Sequence, residues 1–180
     1  MTTKSIRVIG LDPGLRYTGW GVVDIRGTLM SCVASGVAQT SCSSGAKELQ
    51  GNTSVISPRL LSLYSSLSQV AETYKPDVAA VEQVFVNRDA NSSMKLGHAR
   101  AISLLIAEMY TMQVHEYAPN TIKKAVVGHG HAGKHQIRRM LSVLFPKAEV
   151  TRADAADAIA IAVCHVHHMR FNNSMQKYLQ

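Results

Sequence analysis

Four acidic side chains stand at positions where a charge is costly unless it performs a task. Asp12 ends one apolar segment just before a Pro-Gly pair, and Glu82 ends a second apolar segment. Asp154 and Asp157 are three residues apart in the small, apolar run ADAADAIAIA, a spacing that places both on one face of a helix. Carboxylates that converge repel one another and raise one another's pKa values unless a cation lies among them. We therefore interpret these four acids as one metal-binding set.

The chemistry that suits such a set is phosphodiester hydrolysis. Oxygen ligands favour hard cations, so we expect Mg²⁺, with Mn²⁺ able to substitute. Two such ions about 3.5–4 Å apart activate a water and stabilise the attacking and the leaving oxygens of an in-line phosphoryl displacement. This chemistry needs no histidine or cysteine nucleophile, and the sequence places none beside the acids. We expect two ions per active site.

Each acid taken alone also has a structural interpretation. Asp12 before Pro-Gly is a common turn former, and Glu82 could pair with a lysine. Asp154 could be a helix N-cap, and Asp157 lies where acids are favoured near a helix N-terminus. The joint pattern of all four is more specific than any one of them.

Composition bounds the possible partners. The chain has 180 residues, enough for one domain, and a formal net charge of +7 that favours polyanionic partners such as nucleic acid or an anionic membrane surface. No apolar run approaches the roughly 20 residues of a membrane span, and no signal-peptide pattern begins the chain. Three cysteines without a C-x-x-C pair indicate reduced thiols. We expect a cytoplasmic protein without a membrane partner.

The elements that position the acids follow from hydrophobic periodicity and turn residues. An antiparallel meander of three strands precedes a loop rich in Ser, Thr and Gly. Alternating helices and short buried strands then indicate an α/β three-layer domain with a mixed sheet. Strands are predicted at 6–11, 18–25, 29–38, 78–81 and 114–117, the loop at 40–57, and helices from Pro58 to about 74, at 91–112, 119–127, 134–145 and 153–168.

Four segments of the sequence resemble the motifs of the RuvC family, the crossover junction endodeoxyribonucleases of bacteria. They are GLDPGLRYTGWG at 10–21, VEQVF at 81–85, KLGHAR at 95–100 and ADAADA at 153–158. The resemblance implies an RNase-H-like fold, with a mixed five-stranded sheet flanked by helices. It assigns residues 1–168 to a single nuclease domain and leaves 169–180 as a short polar C-terminal tail. It also implies Mg²⁺-dependent, symmetrical nicking of four-way (Holliday) junctions in DNA recombination and repair.

The same resemblance implies roles for particular residues. The four acids would be the catalytic metal ligands. Phe85 would stack on or wedge between bases, although a phenylalanine beside a buried strand is also a common core residue. Lys123 and Lys134 would hold backbone phosphates, although most such lysines are simply solvated, and Lys124 is a second candidate beside Lys123. The partners implied are junction DNA, a second copy of the chain joined near the helix that begins at Asn91, and the RuvA and RuvB branch-migration proteins.

Three other functions compete with this interpretation. An ATP-handling enzyme of the actin and sugar-kinase type would explain Asp12-Pro13-Gly14, but such enzymes need two domains of this kind. A junction-binding protein without catalysis would tolerate the loss of an acid, and all four are present. An RNase-H-like nuclease that acts on another nucleic acid fits the acids equally well.

The segment that holds Cys164, His165, His167 and His168 invites a zinc interpretation. No second Cys or His pair at zinc-finger spacing accompanies it. We predict instead a polar face at the end of the last helix, where histidines also suit the helix dipole.

Overall fold

The computed structural model describes residues 5–40, 56–83, 89–148, 150 and 152–178, with side chains as far as Arg170. Phe85 and residues 41–55, the main part of the predicted loop, lie outside the described residues. The elements in chain order are β1 Ile6–Asp12, β2 Tyr17–Arg26, β3 Leu29–Gln39, α1 Ile56–Tyr74, β4 Val78–Glu82, α2 Ala90–Met109, β5 Gln113–Tyr117, α3 Pro119–Val127, α4 Lys134–Leu144 and α5 Ala153–Tyr178.

The five strands form one mixed sheet in the order β3-β2-β1-β4-β5. The first three strands make the predicted antiparallel meander, and Gly27 takes the positive φ of 60° that the tight β2–β3 turn requires. β4 and β5 are parallel to β1 and to each other. The helices α1 and α2 make the connections to these strands, as parallel pairing requires. The predicted mixed sheet is confirmed, and β1 and β4 lie next to each other in it.

Helices cover both faces of the sheet and create two separate cores. On β1, Val8 packs into the core formed with α3, α4 and α5, whereas Ile9 and Leu11 pack into the core formed with α1 and α2. This alternation follows from the two-residue period of a strand. Twelve consecutive residues of α5, Ala155 to Val166, are buried except Asp157, so this helix is the central element of its layer. The predicted three-layer α/β architecture is confirmed.

Two helix ends differ from the prediction by three residues or more. α2 ends at Met109 rather than at residue 112, because Tyr110 caps it through its backbone N–H and Thr111 takes a positive φ of 54°. α5 continues to Tyr178 rather than ending at 168, so the segment predicted as a polar tail is mostly helical. No proline or glycine occurs after residue 168, and nothing in the sequence forces the helix to stop there. In the described ranges, no helix is both long and apolar enough to cross a membrane.

Candidate active site

Two of the acids are brought together by parallel strand pairing. Leu11 of β1 is in register with Val81 of β4, so Asp12 and Glu82, one residue further on, end neighbouring strands side by side. The turn after Asp12 is held by another residue. The Thr18 hydroxyl donates to the Gly14 carbonyl at 2.7 Å and accepts from the Gly14 N–H at 3.2 Å. The turn therefore does not need the Asp12 carboxylate, which is left to face the site.

The other two acids arrive on α5, which lies directly on the backbone of β1 and β2. A Cβ added at Gly10 would stand 2.0 Å from the Ala158 carbonyl oxygen, and one added at Gly19 would stand 2.0 Å from that of Asp154. Only glycine permits so close an approach. α5 begins at Ala153, so Asp154 lies inside its first turn and is not the N-cap. The helix thereby places Asp154 and Asp157 at the same sheet edge as the other two acids.

Five of the predicted residues line one cavity of about 470 Å³: Asp12, Glu82, Asp157, Lys123 and Lys134. Lys123 comes from α3 and Lys134 from the first position of α4, opposite the strand ends. The structure thus brings three acids and two lysines from five different elements to one place. This cavity is where the chemistry of the acids can take place.

Asp154 stands slightly apart from this cavity. Its carboxylate does not line the wall and lies 3.9 Å from the guanidinium of Arg152, with 38% of the side chain exposed. It still contributes to the negative potential at Asp12. Asp154 is therefore placed to approach a cation at the cavity edge after a change of rotamer.

The electrostatics of the cavity show that the acids are not compensated by the protein alone. Burial, followed by the charges of Glu82 and Asp157, raises the pKa of Asp12 to about 8. Burial also raises the pKa of Glu82, while Lys123 and Lys134 partly oppose this rise. Asp12 and Glu82 interact directly, and the charge of Glu82 opposes ionisation of Asp12. A divalent cation would offset this repulsion with positive charge.

The two lysines play different electrostatic parts. Lys134 Nζ lies 3.3 Å from Asp157 Oδ2, and 76% of its side chain is exposed. Lys123 has no ion-pair partner among the described residues, but its positive charge lowers the pKa of Glu82. The neighbouring Lys124 lines a different cavity, on the other side of α3, with Asn120. Of the two adjacent lysines, Lys123 therefore faces the acids.

The donor set fits a hard divalent cation in its chemistry. Asp12, Glu82 and Asp157 offer carboxylate oxygens on one cavity wall, and Asp154 is close by. Within the described ranges, no three acid, histidine or cysteine side chains already stand as a closed metal cage. Holding an ion here would therefore require the acids to close around it by rotamer changes. The raised pKa values of Asp12 and Glu82 provide the electrostatic reason for such a closure.

The histidine-rich segment of α5 is not the solvated helix end that the sequence predicted. His165 is 3% exposed, and its Nδ1 is 2.8 Å from the Tyr117 hydroxyl at the end of β5. His167 Nδ1 lies 2.8 Å from the Ala125 carbonyl oxygen. Because α5 runs on to Tyr178, this segment is the middle of a buried helix, and its histidines tie α5 to β5 and α3.

The wall of the cavity includes residues that the sequence analysis did not single out. Pro119, Ile122 and Ile137 form an apolar surface behind the lysines, and Gly133 lies at the start of α4. Ile122 and Ile137 are buried core residues of short amphipathic helices. Their periodicity is visible in the sequence, but only the packing of α3 and α4 against α5 shows that they border the acids.

Comparison with known proteins agrees with this geometry. The family model for crossover junction endodeoxyribonuclease RuvC matches residues 8–165. A protein of that name from Rhizobium leguminosarum bv. trifolii is 50% identical over 98% of both chains. Another, from Agrobacterium fabrum, is 48% identical over 98% of this chain and 97% of its own length.

Solved structures agree as well. The structure of T. thermophilus RuvC in complex with Holliday junction substrate has a TM-score of 0.79 at 30% identity, covering 93% of this chain and 96% of that one. The yeast mitochondrial Holliday junction resolvase Ydc2 shares the fold, with a TM-score of 0.61 at 11% identity over 96% of this chain and 86% of that one. The matched segment spans nearly the whole chain and contains all four acids, and this chain therefore belongs to the RuvC family of crossover junction endodeoxyribonucleases.

Proposed function

We propose that this chain resolves four-way DNA junctions by divalent-metal-dependent phosphodiester hydrolysis in DNA recombination and repair, with Asp12, Glu82, Asp154 and Asp157 as the catalytic acids. The observation that carries the proposal is the single cavity in which three of these carboxylates face two lysines. The proposed cofactor is Mg²⁺, two ions per site, with Mn²⁺ as a substitute. The T. thermophilus relative was solved in complex with a Holliday junction substrate, which supports the same substrate here.

The roles of the residues follow from their positions. Asp12 and Glu82, fixed on strand ends, and Asp157, fixed on α5, would hold the cations, and Asp154 would complete the set from the cavity edge. The bound cations would supply water activation and stabilise charge on the attacking and leaving oxygens. Lys123 and Lys134 would hold the phosphate that is cut and offset the charge that develops on it. Phe85, three residues after Glu82, would contact bases of the junction.

Symmetrical nicking requires two active sites, and we propose a homodimer formed through α2. One face of this helix carries apolar side chains that the chain itself does not cover: Met94 is 61% exposed and Leu105 is 47% exposed. A Cβ added at Gly97, on the same face, would have nothing within 4 Å of it, so this position leaves room for the close approach of another helix. A change of Leu105 to Glu should give a monomer in sedimentation, whereas Val143→Glu on α4, 70% exposed in the free chain, should not.

Further elements of the proposal come from the family alone. Residues 1–168 would act as a single nuclease domain in the cytoplasm, with the end of α5 beyond it. RuvA and RuvB, the branch-migration proteins, would be the protein partners. A pull-down of the purified chain with each of these two proteins on a four-way junction, and on a linear duplex as the control, tests the partnership.

The test of the proposed function is cleavage of a synthetic four-way junction in Mg²⁺, beside a linear duplex of matching sequence. We expect paired, symmetrical nicks on the junction only. Asp12→Asn should abolish them, whereas Asp89→Asn, a change of an exposed N-cap residue on α2, should not. Tight junction binding without nicking in Mg²⁺ or Mn²⁺ would instead indicate a non-catalytic binder. Equal cutting of the duplex, or cutting of RNA, would keep the chemistry and refute the substrate.

A further inference from the structure

Two arginines converge on one aromatic ring beside the active site. The guanidinium carbon of Arg16 lies 5.3 Å from the centroid of the Tyr17 ring, and that of Arg152 lies 5.1 Å from the same centroid. Both distances fall within the range of cation–π attraction. The two positive charges are therefore held close together by a neutral side chain rather than separated by a carboxylate.

These two guanidinium groups have little negative charge to compensate them. Among the described residues, Arg16 makes no ion pair, and Arg152 reaches only Asp154, at 3.9 Å and with 47% of the arginine side chain exposed. Two other arginines are instead engaged with carboxylates. Arg7 makes two hydrogen bonds to Asp24, and Arg100 makes two to Glu116. An exposed pair at the distance limit is weak, so the Arg16–Arg152 group keeps a net positive charge.

The position of this group relative to the acids is informative. Tyr17 begins β2, on the side of β1 away from β4, and Arg152 immediately precedes α5. Lys123 and Lys134 come from α3 and α4 and line the acid cavity itself, with Lys134 beside Asp157. The Arg16–Arg152 group is a second basic group at the same sheet edge, contributed by the residue before β2 and the residue before α5. A polyanion that reaches the acids from the β2 side would meet this positive charge.

The backbone that carries the two arginines is fixed before any ligand binds. Thr40 donates from its N–H to the Arg16 carbonyl at 3.1 Å and from its hydroxyl to the Leu15 carbonyl at 2.5 Å, and this threonine is 4% exposed. The Arg152 carbonyl accepts the Ala156 N–H at 3.1 Å in the first turn of α5. Stacking on the Tyr17 ring also restrains the two guanidinium groups, and restrained groups lose less conformational entropy on binding an anion than free side chains would.

We propose that Arg16 and Arg152, stacked on Tyr17, form a phosphate clamp for the DNA strand on the β2 side of the catalytic acids. A guanidinium group matches the two oxygens of a phosphate with parallel N–H donors. The distance between the two guanidinium carbons cannot exceed the sum of their distances to the Tyr17 ring centroid. Successive phosphates of one strand rise by about 3.4 Å along the helix axis and lie farther apart than that along the strand, so the two guanidinium groups can reach at most two neighbouring phosphates. The clamp rests on the proposed function, because it presupposes DNA in the cavity.

The test measures the salt dependence of junction binding in EDTA, where no cleavage occurs. Fluorescence anisotropy with a labelled four-way junction gives the dissociation constant between about 50 and 300 mM salt. Arg16→Ala and Arg152→Ala should each reduce the slope of log K against log salt by about 0.9, and should weaken binding roughly fivefold at low salt. Arg16→Lys and Arg152→Lys keep the charge and should restore most of the slope.

Arg26→Ala is the matched control, because it removes an exposed arginine from the far end of the same strand. Arg26 lies nine positions along β2 from Tyr17, about 30 Å away, so the slope of this variant should equal that of the unchanged chain. Unchanged slopes in both alanine variants, or equal losses in the alanine and lysine variants, would refute the clamp. Binding is measured without Mg²⁺, so the test of the clamp does not depend on cleavage. A chain that fails to nick junctions in Mg²⁺ would refute the proposed function, and the salt slopes would still decide whether Arg16 and Arg152 bind phosphate.

Discussion

Replacing Asp12 with asparagine should make the metal-free protein more stable while it destroys nicking. Burial and the charges of Glu82 and Asp157 raise the pKa of Asp12 from 3.8 to about 8. The unfolded chain releases the proton near pH 4, whereas the folded chain retains it until about pH 8. Unfolding is therefore favoured progressively as the pH rises between these two values, and the loss is complete above pH 8.

The size of this loss of stability follows from the difference between the folded and unfolded pKa values of Asp12. About four pKa units at 1.36 kcal/mol each correspond to roughly 5 kcal/mol, and water that enters the open cavity screens part of it, which leaves about 3–5 kcal/mol. Asparagine carries no charge at any of these pH values. At pH 9 in EDTA, the Asp12→Asn variant should have a free energy of unfolding higher than that of the unchanged chain by about this amount. At pH 4 the two should agree closely.

Urea unfolding followed by circular dichroism at several pH values is the appropriate assay, with EDTA in one series and Mg²⁺ in the other. Mg²⁺ should reverse the order, because an ion that binds only the folded chain stabilises it in proportion to ln(1 + [L]/Kd). Asp89→Asn serves as the control, since asparagine caps a helix about as well as aspartate. A variant at Asp12 that is less stable than the unchanged chain at pH 9 in EDTA would refute the reasoning.

Three further predictions concern the helix layer and the cavity. Gly10→Ala should lower the free energy of unfolding, measured in urea, by at least about 3 kcal/mol, because the new Cβ would stand 2.0 Å from the Ala158 carbonyl oxygen. A loss of less than about 1 kcal/mol would show that α5 can shift to make room and would contradict this prediction. Burial, and then the neighbouring histidines, lower the pKa of His165 to about 4, so stability should fall by roughly 3 kcal/mol as the pH drops from 6.5 towards 4. His165→Phe should flatten that part of the pH profile, and an unchanged profile would contradict the assignment. Lys134→Ala should slow junction cleavage by roughly tenfold to a hundredfold, whereas Lys124→Ala, at a residue outside the acid cavity, should leave the rate unchanged. Equal rates in the two variants would contradict the conclusion that Lys134 acts on the phosphate and Lys124 does not.

The sequence predicts the strands because they depend on local signals, whereas the meeting of Asp12 and Glu82 depends on the pairing of distant strands, which the fold implied by the family resemblance supplies. The segment 6–11 with its terminal Asp12, and the segment 78–81 with its terminal Glu82, are short apolar runs of the kind that lie buried in a sheet. Pro119 and the glycine at 128 bound α3, and the structure confirms that helix as Pro119–Val127. The metal-binding role of the acids stays a prediction, as does the role of Phe85.

Features that depend on distant contacts could not be predicted in this way. His165 looks like part of a polar helix end, and only the packing of α5 against β5 shows that it is buried against Tyr117. The contact of Arg16 and Arg152 joins residues 136 positions apart through a ring, and no periodicity reports such a contact. The predicted end of α2 is also wrong, because the apolar pattern continues through Met112 although the helix stops at Met109.

The backbone contact of α5 with the sheet also fixes the distance between the acids on the strands and the acids on the helix. Where Gly10 and Gly19 meet the helix, the separation is fixed by carbonyl oxygens and Cα atoms, which have no rotamers to change. The gap between the acids on the strands and the acids on the helix is therefore insensitive to how side chains elsewhere in the core repack. Drift in core composition can change the stability of this protein while the spacing of its acids stays the same. Changes at these two glycines would instead alter that spacing in one step.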